Sequence, residues 1–288
     1  MGRGGGLLHL PDYRDADDVL SLMPDASFFI HAQIFDDLLI VANRVTAAFV
    51  LKTEDGLILI DAIYPKREMF DAITGAILDI GWNPGKIKKF LLTHGHFDHC
   101  GCGKWVKEAF HPETCLSRTD TIYWKEHPFF PDRPETWKDF EIDRYLEDGD
   151  EIRLGTAVIQ VLATPGHTPG GLSYIFPVHD NGEMHMAGMW GGTNPPYTVE
   201  GVVTYMQSLD YFTDQTRRMH CDVILCNHPR LSGFEKIEQA RRRYAHMPND
   251  YIIGESAFQR FCGLYRSFCY DRLLTLADTK RLDGKDNP

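Results

Sequence analysis

The 288-residue sequence lacks features that mark whole classes of protein. No window reaches the roughly 18 consecutive apolar residues of a membrane-spanning helix, although 43% of the residues are hydrophobic. Positive charge is scarce: 30 Lys and Arg residues face 41 Asp and Glu residues, and the formal net charge is −11. Such a charge repels a phosphate backbone or an anionic lipid surface. We therefore expect no nucleic-acid and no membrane partner, and a small-molecule substrate instead.

Paired cysteines and a serine-nucleophile motif are also missing. The seven cysteines include no CxxC pair, which favours buried reduced thiols over a disulfide framework or a zinc ribbon. No GxSxG sequence is present, so a serine on a strand-to-helix elbow is not expected. The first 27 residues contain no apolar stretch of the signal-peptide kind. We expect residues 1–27 to be a flexible leader and the protein to be cytoplasmic.

Predicted strands and helices alternate from Phe28 onward. Residues 28–43 begin a series of three predicted strands, and residues 66–81 have the apolar spacing of a helix that ends at a glycine. The second half repeats the order of strands, a helix and a strand that ends in a histidine-bearing loop. Because no low-complexity linker separates the halves, we predict one α/β (α+β) domain over residues 28–288. Two sheets would lie between outer helices.

A dense group of potential metal ligands follows one predicted strand. The segment HGHFDH places His94, His96, Asp98 and His99 within six positions. Neutral imidazole and carboxylate are ligands of zinc, whose catalytic sites keep one position open for water. His94 and His96 can project to one side, while Asp98 and His99 can turn toward an adjacent point. One loop could therefore serve two neighbouring ions.

Two further histidines stand in a comparable setting. His167 lies in LATPGHTPGG and His228 in VILCNHPR, each where a predicted strand runs into a turn containing proline. Both are candidates for completing the ligand sets. The remaining histidines stand alone and are interpreted as structural or surface residues.

Together these motifs resemble the metallo-β-lactamase superfamily. The resemblance rests on THGHFDHCG, on TPGHTPGG and on a later strand-end histidine, and it runs from about Phe28 to the C-terminal helices. It implies an αββα sandwich with two zinc ions at one edge of the sheets. The ligands implied for the first ion are His94, His96 and His167. Those implied for the second are Asp98, His99 and His228. GLILIDA resembles an early strand whose aspartate, here Asp61, supports the metal loop.

One departure from the wider superfamily concerns a missing acid. Many members carry a bridging aspartate after the strand that follows the GH motif, but no Asp or Glu lies between Glu183 and Glu200 here, and Met189 stands near the expected position. This is similar to the β-lactamase subclass B3, which has HxHxDH, no cysteine ligand and no bridging acid. The implied ions would share only water or hydroxide.

The resemblance implies hydrolysis of a carbonyl compound. A metal-bound hydroxide would attack a cyclic amide of the β-lactam type or a related acyl substrate, with Asp98 as the catalytic residue that aims it. A lactonase or thioesterase on the same scaffold is the main alternative. An iron-dependent redox member and a non-catalytic metal-binding protein remain further alternatives, and iron or manganese could replace zinc. Oligomeric state is not predicted.

The substrate pocket and the packing of the metal loop are predicted from position. Loops near the metal edge are expected to line the pocket, with the alternative that their aromatic residues only pack the loops. The candidates are Tyr123, Trp124, Met189, Trp190, Thr193 and Asn194. Cys100 and Cys102 are expected to be small packing residues that, with Gly101 and Gly103, let the following segment approach closely.

Overall fold

A computed structural model describes residues 28–126, 140–229, 233–244 and 246–283. The predicted leader, residues 1–27, lies outside this part of the chain. The strands are β1 Ile30–Phe35, β2 Leu38–Ala42, β3 Ala47–Thr53, β4 Gly56–Ile60, β5 Ile87–Leu91, β6 Glu113–Leu116, β7 Arg144–Tyr145, β8 Glu151–Leu154, β9 Ala157–Ala163, β10 Leu172–Asp180, β11 Glu183–Trp190 and β12 Val223–Cys226.

The helices of the described residues flank these strands. They are α1 Arg67–Asp79, α2 Phe97–Cys100, α3 Gly103–Phe110, α4 Arg118–Glu126, α5 Val199–Arg218, α6 Phe234–Arg242 and α7 Glu255–Asp283, with a short 3-10 turn at Pro84–Lys86. None of these helices is both long and apolar enough to cross a bilayer.

The strands form two mixed sheets. The first has seven strands in the order β1 to β7: β1 to β4 pair antiparallel, and β4 to β7 pair parallel. The second has five strands in the order β12-β11-β10-β9-β8, and only its β11–β12 pair is parallel. The parallel pairs carry helical crossovers, which is why helices cover the outer faces.

The first predicted strand proves to be a hairpin. Residues 28–43 were expected to be one strand, but β1 and β2 pair antiparallel around Asp36 and Asp37. These two aspartates are depleted in strands and favoured in turns. The turn is fixed from outside, because the Asp36 N–H donates to the His179 carbonyl and Asp37 accepts from the His179 N–H. A partner that is distant in sequence therefore ends the strand.

Three hydrophobic cores stack through the molecule. The central core fills the space between the sheets with residues such as Phe49 and Phe176. A second core packs α1 against the outer face of the seven-stranded sheet, and a third packs α5 and α7 against the five-stranded sheet. Burial of each large apolar side chain contributes about 1.5–3 kcal/mol. The layers are helix, sheet, sheet and helix, which confirms the predicted αββα sandwich.

Strand ends from both sheets meet at one edge of the sandwich. Asp61 follows β4, His94 follows β5, His167 follows β9 and His228 follows β12. The two sheets are tied directly here, since Asn227, after β12, donates from Nδ2 to Thr93 Oγ1, after β5 (3.1 Å). The fold thereby collects residues that are far apart in sequence.

Candidate metal centre

Three histidines form the first group of potential ligands. His94 Nε2 lies 3.1 Å from His96 Nδ1. The ring centroids of His94 and His167, and those of His96 and His167, are both 4.7 Å apart. One nitrogen from each ring thus converges within 4.8 Å of the others. The structure brings together all three residues of the first predicted set.

An aspartate and two histidines form the second group. His99 Nε2 lies 3.2 Å from His228 Nε2. Asp98 Oδ2 lies 3.5 Å from His99 Nε2 and 3.9 Å from His228 Nε2. The two groups are adjacent, since the ring centroids of His94 and His99 are 4.1 Å apart. The second predicted set is also brought together.

Hydrogen bonds at the remote ring nitrogens fix the tautomers of four histidines. Nδ1 of His167 faces the Asn194 carbonyl, and Nδ1 of His228 faces the Val45 carbonyl, each at 2.8 Å. A carbonyl oxygen only accepts, so both Nδ1 atoms carry the proton. His99 Nδ1 lies 2.8 Å from Asp61 Oδ2, which also only accepts. His94 Nδ1 lies 3.0 Å from Thr93 Oγ1, whose own proton is donated to Asp61.

The facing nitrogen atoms are therefore lone-pair donors toward a shared centre. Nε2 of His99 and Nε2 of His228 are both unprotonated, yet they approach to 3.2 Å beside the Asp98 carboxylate. A cation between them, either a metal ion or a proton, makes such a contact favourable. In a tetrahedral zinc site with bonds of about 2.0–2.1 Å, ligand atoms lie about 3.3 Å apart. The donor set and its spacing fit a zinc ion.

Burial keeps most of these imidazoles in the metal-binding form. Burial and the neighbouring imidazoles hold the pKa of His94 and of His96 well below the usual value. Burial lowers the pKa of His167 to about 4 and that of His228 to about 3. For His99, burial acts in the same direction but is outweighed by Asp98 and Asp61, and the pKa is raised. Neutral imidazole is the form that binds a metal ion.

Asp61 accepts several hydrogen bonds from residues in and around the HGHFDH segment. Its Oδ1 accepts from the Thr93 N–H (2.8 Å), and its Oδ2 faces the Thr93 hydroxyl (2.9 Å) and His99 Nδ1. Asn227 Nδ2 donates to Thr93 Oγ1 at 3.1 Å. These contacts place Asp61 behind the candidate ligands, and its supporting role stays a prediction.

The backbone around Asp61 is strained. Asp61 has φ of 60° and Ile63 has φ of 54°, a left-handed conformation that is rare for non-glycine residues and rarest for β-branched ones. Gly101 lies directly against this segment, because a Cβ there would overlap the Ile63 carbonyl. A Cβ at Gly103 would lie 2.5 Å from Phe140 Cζ. Both glycines permit the close approach that was predicted for them.

The cysteines of the motif pack as expected. Cys100 and Cys102 are free and buried. The Cys100 thiol donates to the His94 carbonyl at 3.2 Å, and burial raises the pKa of Cys102 well above the usual value for a thiol. A thiol held in this protonated form is a poor metal ligand.

Two glycines after the strand that lacks an acid leave no space for a side chain. Gly191 and Gly192 follow β11, and a Cβ on Gly191 would overlap the Leu172 carbonyl. A Cβ on Gly192 would lie 2.5 Å from the Cβ of His167. Among the residues that the structure describes, the two ligand groups share no side chain.

Three of the predicted pocket residues belong to the hydrophobic cores. Met189, Trp190 and Trp124 are at most 2% exposed and belong to the three hydrophobic cores. The Trp190 indole N–H donates to the Gly192 carbonyl and to Tyr205 Oη. Side chains held in this way have packing partners on all sides, so their expected exposure to substrate is wrong.

The other pocket candidates lie near the histidines. Tyr123 is half-buried, with its ring centroid 6.1 Å from that of His96. Thr193 is buried and Asn194 half-buried. The contact of the Asn194 carbonyl with His167 was not predicted, because a backbone carbonyl leaves no signature in the sequence.

Two buried polar residues at the site were missed from the sequence. Asn227 immediately precedes His228, and this adjacency was the signal available for it. Asp120 lies on α4 and accepts hydrogen bonds from residues that flank the ligands. Nothing local distinguishes Asp120 from a solvent-facing acid in a short helix.

Comparison with known proteins gives one family and one fold. A family model of the metallo-beta-lactamase superfamily matches residues 42–180. The subclass B3 metallo-beta-lactamase BJP-1 of Bradyrhizobium japonicum superposes with a TM-score of 0.73 at 24% identity, over 87% of this chain and 96% of that one. At this identity the likeness concerns the fold.

Curated relatives match shorter segments. A hydroxyacylglutathione hydrolase of Mesorhizobium japonicum is 36% identical over 105 residues, which are 36% of this chain and 34% of that protein. The probable polyketide biosynthesis zinc-dependent hydrolase BaeB of Bacillus velezensis is 26% identical over 120 residues, 41% of this chain and 45% of that protein. The match thus spans about a third to a half of these relatives. Residues 42–180 thus match the metallo-beta-lactamase superfamily, and the chain as a whole shares the αββα fold of the B3 enzyme.

Proposed function

We propose that the protein is a dinuclear zinc-dependent hydrolase that opens a carbonyl–heteroatom bond of a small acyl substrate. The observation that carries the proposal is the pair of adjacent three-residue groups, each with its lone pairs directed at a common centre. His94, His96 and His167 would hold one zinc ion, and Asp98, His99 and His228 would hold the other. The protein named BaeB, a relative described as zinc-dependent, supports the choice of metal.

The ions would supply Lewis acidity toward the carbonyl oxygen and a nucleophilic water of lowered pKa. Asp98 would do more than bind. Its Oδ2 faces His99 and His228, which leaves Oδ1 able to accept a hydrogen bond from the attacking water and to orient it. Asp98 is partly accessible, with 14% of its side chain exposed, whereas the His99 side chain is fully buried. The carboxylate is therefore the ligand that can reach both a metal and a reactant.

A cyclic amide is the first candidate substrate. The two groups share no carboxylate among the described residues, which fits the resemblance to subclass B3. The B3 enzyme BJP-1 has the same fold over most of its length. A space between the ions filled only by solvent leaves room for the carbonyl of a rigid ring.

A thioester is the second candidate. The relative from Mesorhizobium japonicum is named a hydroxyacylglutathione hydrolase, and it shares more sequence identity with this chain than the B3 enzyme does, over a shorter segment. The two candidates differ in the leaving group, an amide nitrogen against a thiolate. A lactone, with an alkoxide leaving group, belongs to the same alternative.

The test combines metal content with a substrate panel. Purified protein is loaded with zinc, its metal content is measured, and hydrolysis of β-lactams, lactones, acyl thioesters and phosphodiesters is compared. We expect two zinc ions per chain and turnover of one acyl class. The first candidate predicts β-lactam turnover, and the second predicts thioester or lactone turnover with little on lactams.

A variant separates chemistry from folding. Asp98→Asn should lower turnover by orders of magnitude, with Asp55→Asn, an exposed change in the β3–β4 turn, as the matched control. Turnover unchanged in Asp98→Asn with two ions still bound would refute the role of Asp98. Absence of metal binding, or turnover independent of metal, would refute the proposed function.

A further inference from the structure

The first turn of helix α4 lies between the two loops that carry the first histidine group. One loop contains His94 and His96, separated by Gly95, and the other contains His167, followed by Thr168 and Gly170. The loops belong to different sheets, since one follows β5 and the other joins β9 to β10. Neither the sequence motifs nor the proposed chemistry gives this first turn a role.

Asp120 on this turn accepts hydrogen bonds from both loops. Its Oδ2 accepts from the Gly95 N–H at 2.8 Å and from the Thr168 hydroxyl at 2.7 Å. Its Oδ1 accepts from the Gly170 N–H at 2.6 Å. Asp120 itself is 0% exposed. Every donor is adjacent to a histidine of the first group or lies within three residues of one.

Ser117 strengthens the same junction. Its hydroxyl donates to the Gly170 carbonyl at 2.6 Å and accepts from the Asp120 N–H at 3.1 Å, which caps the helix start. The first turn of α4 thereby binds both backbone groups of Gly170, the N–H through Asp120 and the carbonyl through Ser117. The junction fixes the loop after His167 in two directions.

The two loops are also packed against α4 with no space to spare. A Cβ on Gly95 would lie 2.9 Å from the Asp120 carbonyl and 3.1 Å from Trp124 Cβ. A Cβ on Gly170 would overlap Ser117 Oγ and lie 2.6 Å from the Asp120 nitrogen. The glycines of HGH and TPGG are thus explained by contact with the helix, which leaves the loops few alternative positions.

We propose that Asp120 is a positioning residue for the first histidine group, setting the distance between the HGH loop and the His167 loop. The inference rests on the proposed function, because it assigns a metal ion to that group. A carboxylate is needed there, since three donors converge on it and an amide would turn an NH₂ group toward one of them. Asp120 contacts none of the proposed ligand side chains directly in any of these hydrogen bonds.

The second group is tied to other residues. His99 is held by Asp61, and His228 is held by the Val45 carbonyl. Loss of Asp120 should therefore weaken the first ion selectively. A change that merely lowered the overall stability of the fold would weaken both ions together, and this contrast distinguishes positioning from a general structural role.

The test is Asp120→Asn, titrated with zinc and with cobalt(II). Outer partners of metal ligands commonly contribute roughly 10–100-fold to metal affinity, and we expect a loss in that range for one ion and little change for the other. The visible spectrum of the cobalt that remains should match that of His167→Ala, in which the first group is broken, and differ from that of His228→Ala.

The matched control is Asp37→Asn. Asp37 also accepts from a backbone N–H and from a side chain, both of His179, at the far end of β10. It should leave both affinities unchanged. An equal loss of affinity for both ions in Asp120→Asn, or no loss, would overturn the positioning role of Asp120. Binding of two ions by the unaltered protein would still uphold the proposed function in that case. If the unaltered protein binds no zinc, both proposals fail.

Discussion

Asp61 Oδ2 and His99 Nδ1 lie 2.8 Å apart, and both side chains are buried at the edge where the two sheets meet. The contact keeps the His99 proton on Nδ1 and turns Nε2 toward His228 and Asp98. Asp61 also accepts from the Thr93 N–H, so one carboxylate orients the His99 ring and holds the backbone that follows β5.

Replacing Asp61 by Asn should weaken the second metal ion. An amide cannot accept from both Thr93 and His99, and one donor would face an NH₂ group. We expect a loss of roughly 10–100-fold in affinity for that ion, measured by competition with a chromogenic chelator. Unchanged affinity would show that His99 is oriented by its ring packing alone.

A larger side chain at position 192 should lower both the free energy of unfolding and the affinity for metal. Gly192→Ala places a methyl group 2.5 Å from His167 Cβ, and overpacking of this kind costs about 1–3 kcal/mol. Gly75→Ala is the matched change, since α1 offers open space at Gly75, and it should instead stabilise by about 0.5–1 kcal/mol. Chemical denaturation compares the free energies of unfolding. An equal effect of the two changes would contradict this account.

Trp190 and Tyr123 should respond in opposite ways to substitution. Trp190→Phe removes an indole N–H that is bonded to Gly192 and Tyr205, and we expect a loss of about 1–3 kcal/mol of stability with little change in KM. Tyr123→Ala should alter KM and spare stability, because the ring is half-buried near His96. A raised KM in Trp190→Phe without destabilisation would restore Trp190 to the substrate pocket.

The contribution of Asp180 to stability should depend on pH. Burial by itself would raise its pKa, but hydrogen bonds from Arg243 and Asn249 and the Arg243 charge outweigh burial and lower the pKa. A lowered pKa stabilises the fold above the ordinary aspartate value of about 3.9, and that stabilisation is lost as the pH falls further. Asp180→Asn should therefore cost about 1 kcal/mol at pH 7.

The difference between Asp180→Asn and the parent should shrink as the pH drops from 5 to 3. Urea unfolding at several pH values measures it. A difference that is constant over this range would mean that the contact acts through packing rather than through charge.

Local patterns predicted the parts of the molecule that depend on local sequence. The strand leading into His94 and the helix at 67–79 follow apolar spacing, and the HxHxDH segment places four candidate ligands within six residues. His167 and His228 were recognised from their turns and from the resemblance. The metal-ligand assignments themselves remain proposals, although the structure brings the six residues together.

Long-range contacts explain what the sequence did not reveal. Asp120 meets Thr168 and Gly170 at separations of 48 and 50 residues, so nothing near it in sequence marks its role. Trp190 looked like a loop aromatic, yet it lies at the end of β11 against Tyr205 and Phe212. Whether an aromatic residue faces substrate or core depends on the opposite wall, which only the fold supplies.

Each proposed ion would have ligands from both sheets. The HGHFDH loop extends from the seven-stranded sheet, whereas His167 and His228 extend from the five-stranded one. Such an ion would link the two sheets, because the sheets could separate only after the ion had dissociated. The fraction of sites that hold zinc and the fraction of unfolded chains are then linked by mass action. A cavity introduced into the central core, far from any histidine, would therefore lower the apparent zinc affinity under conditions where unfolded chain is populated, and removal of zinc by a chelator would lower the melting temperature.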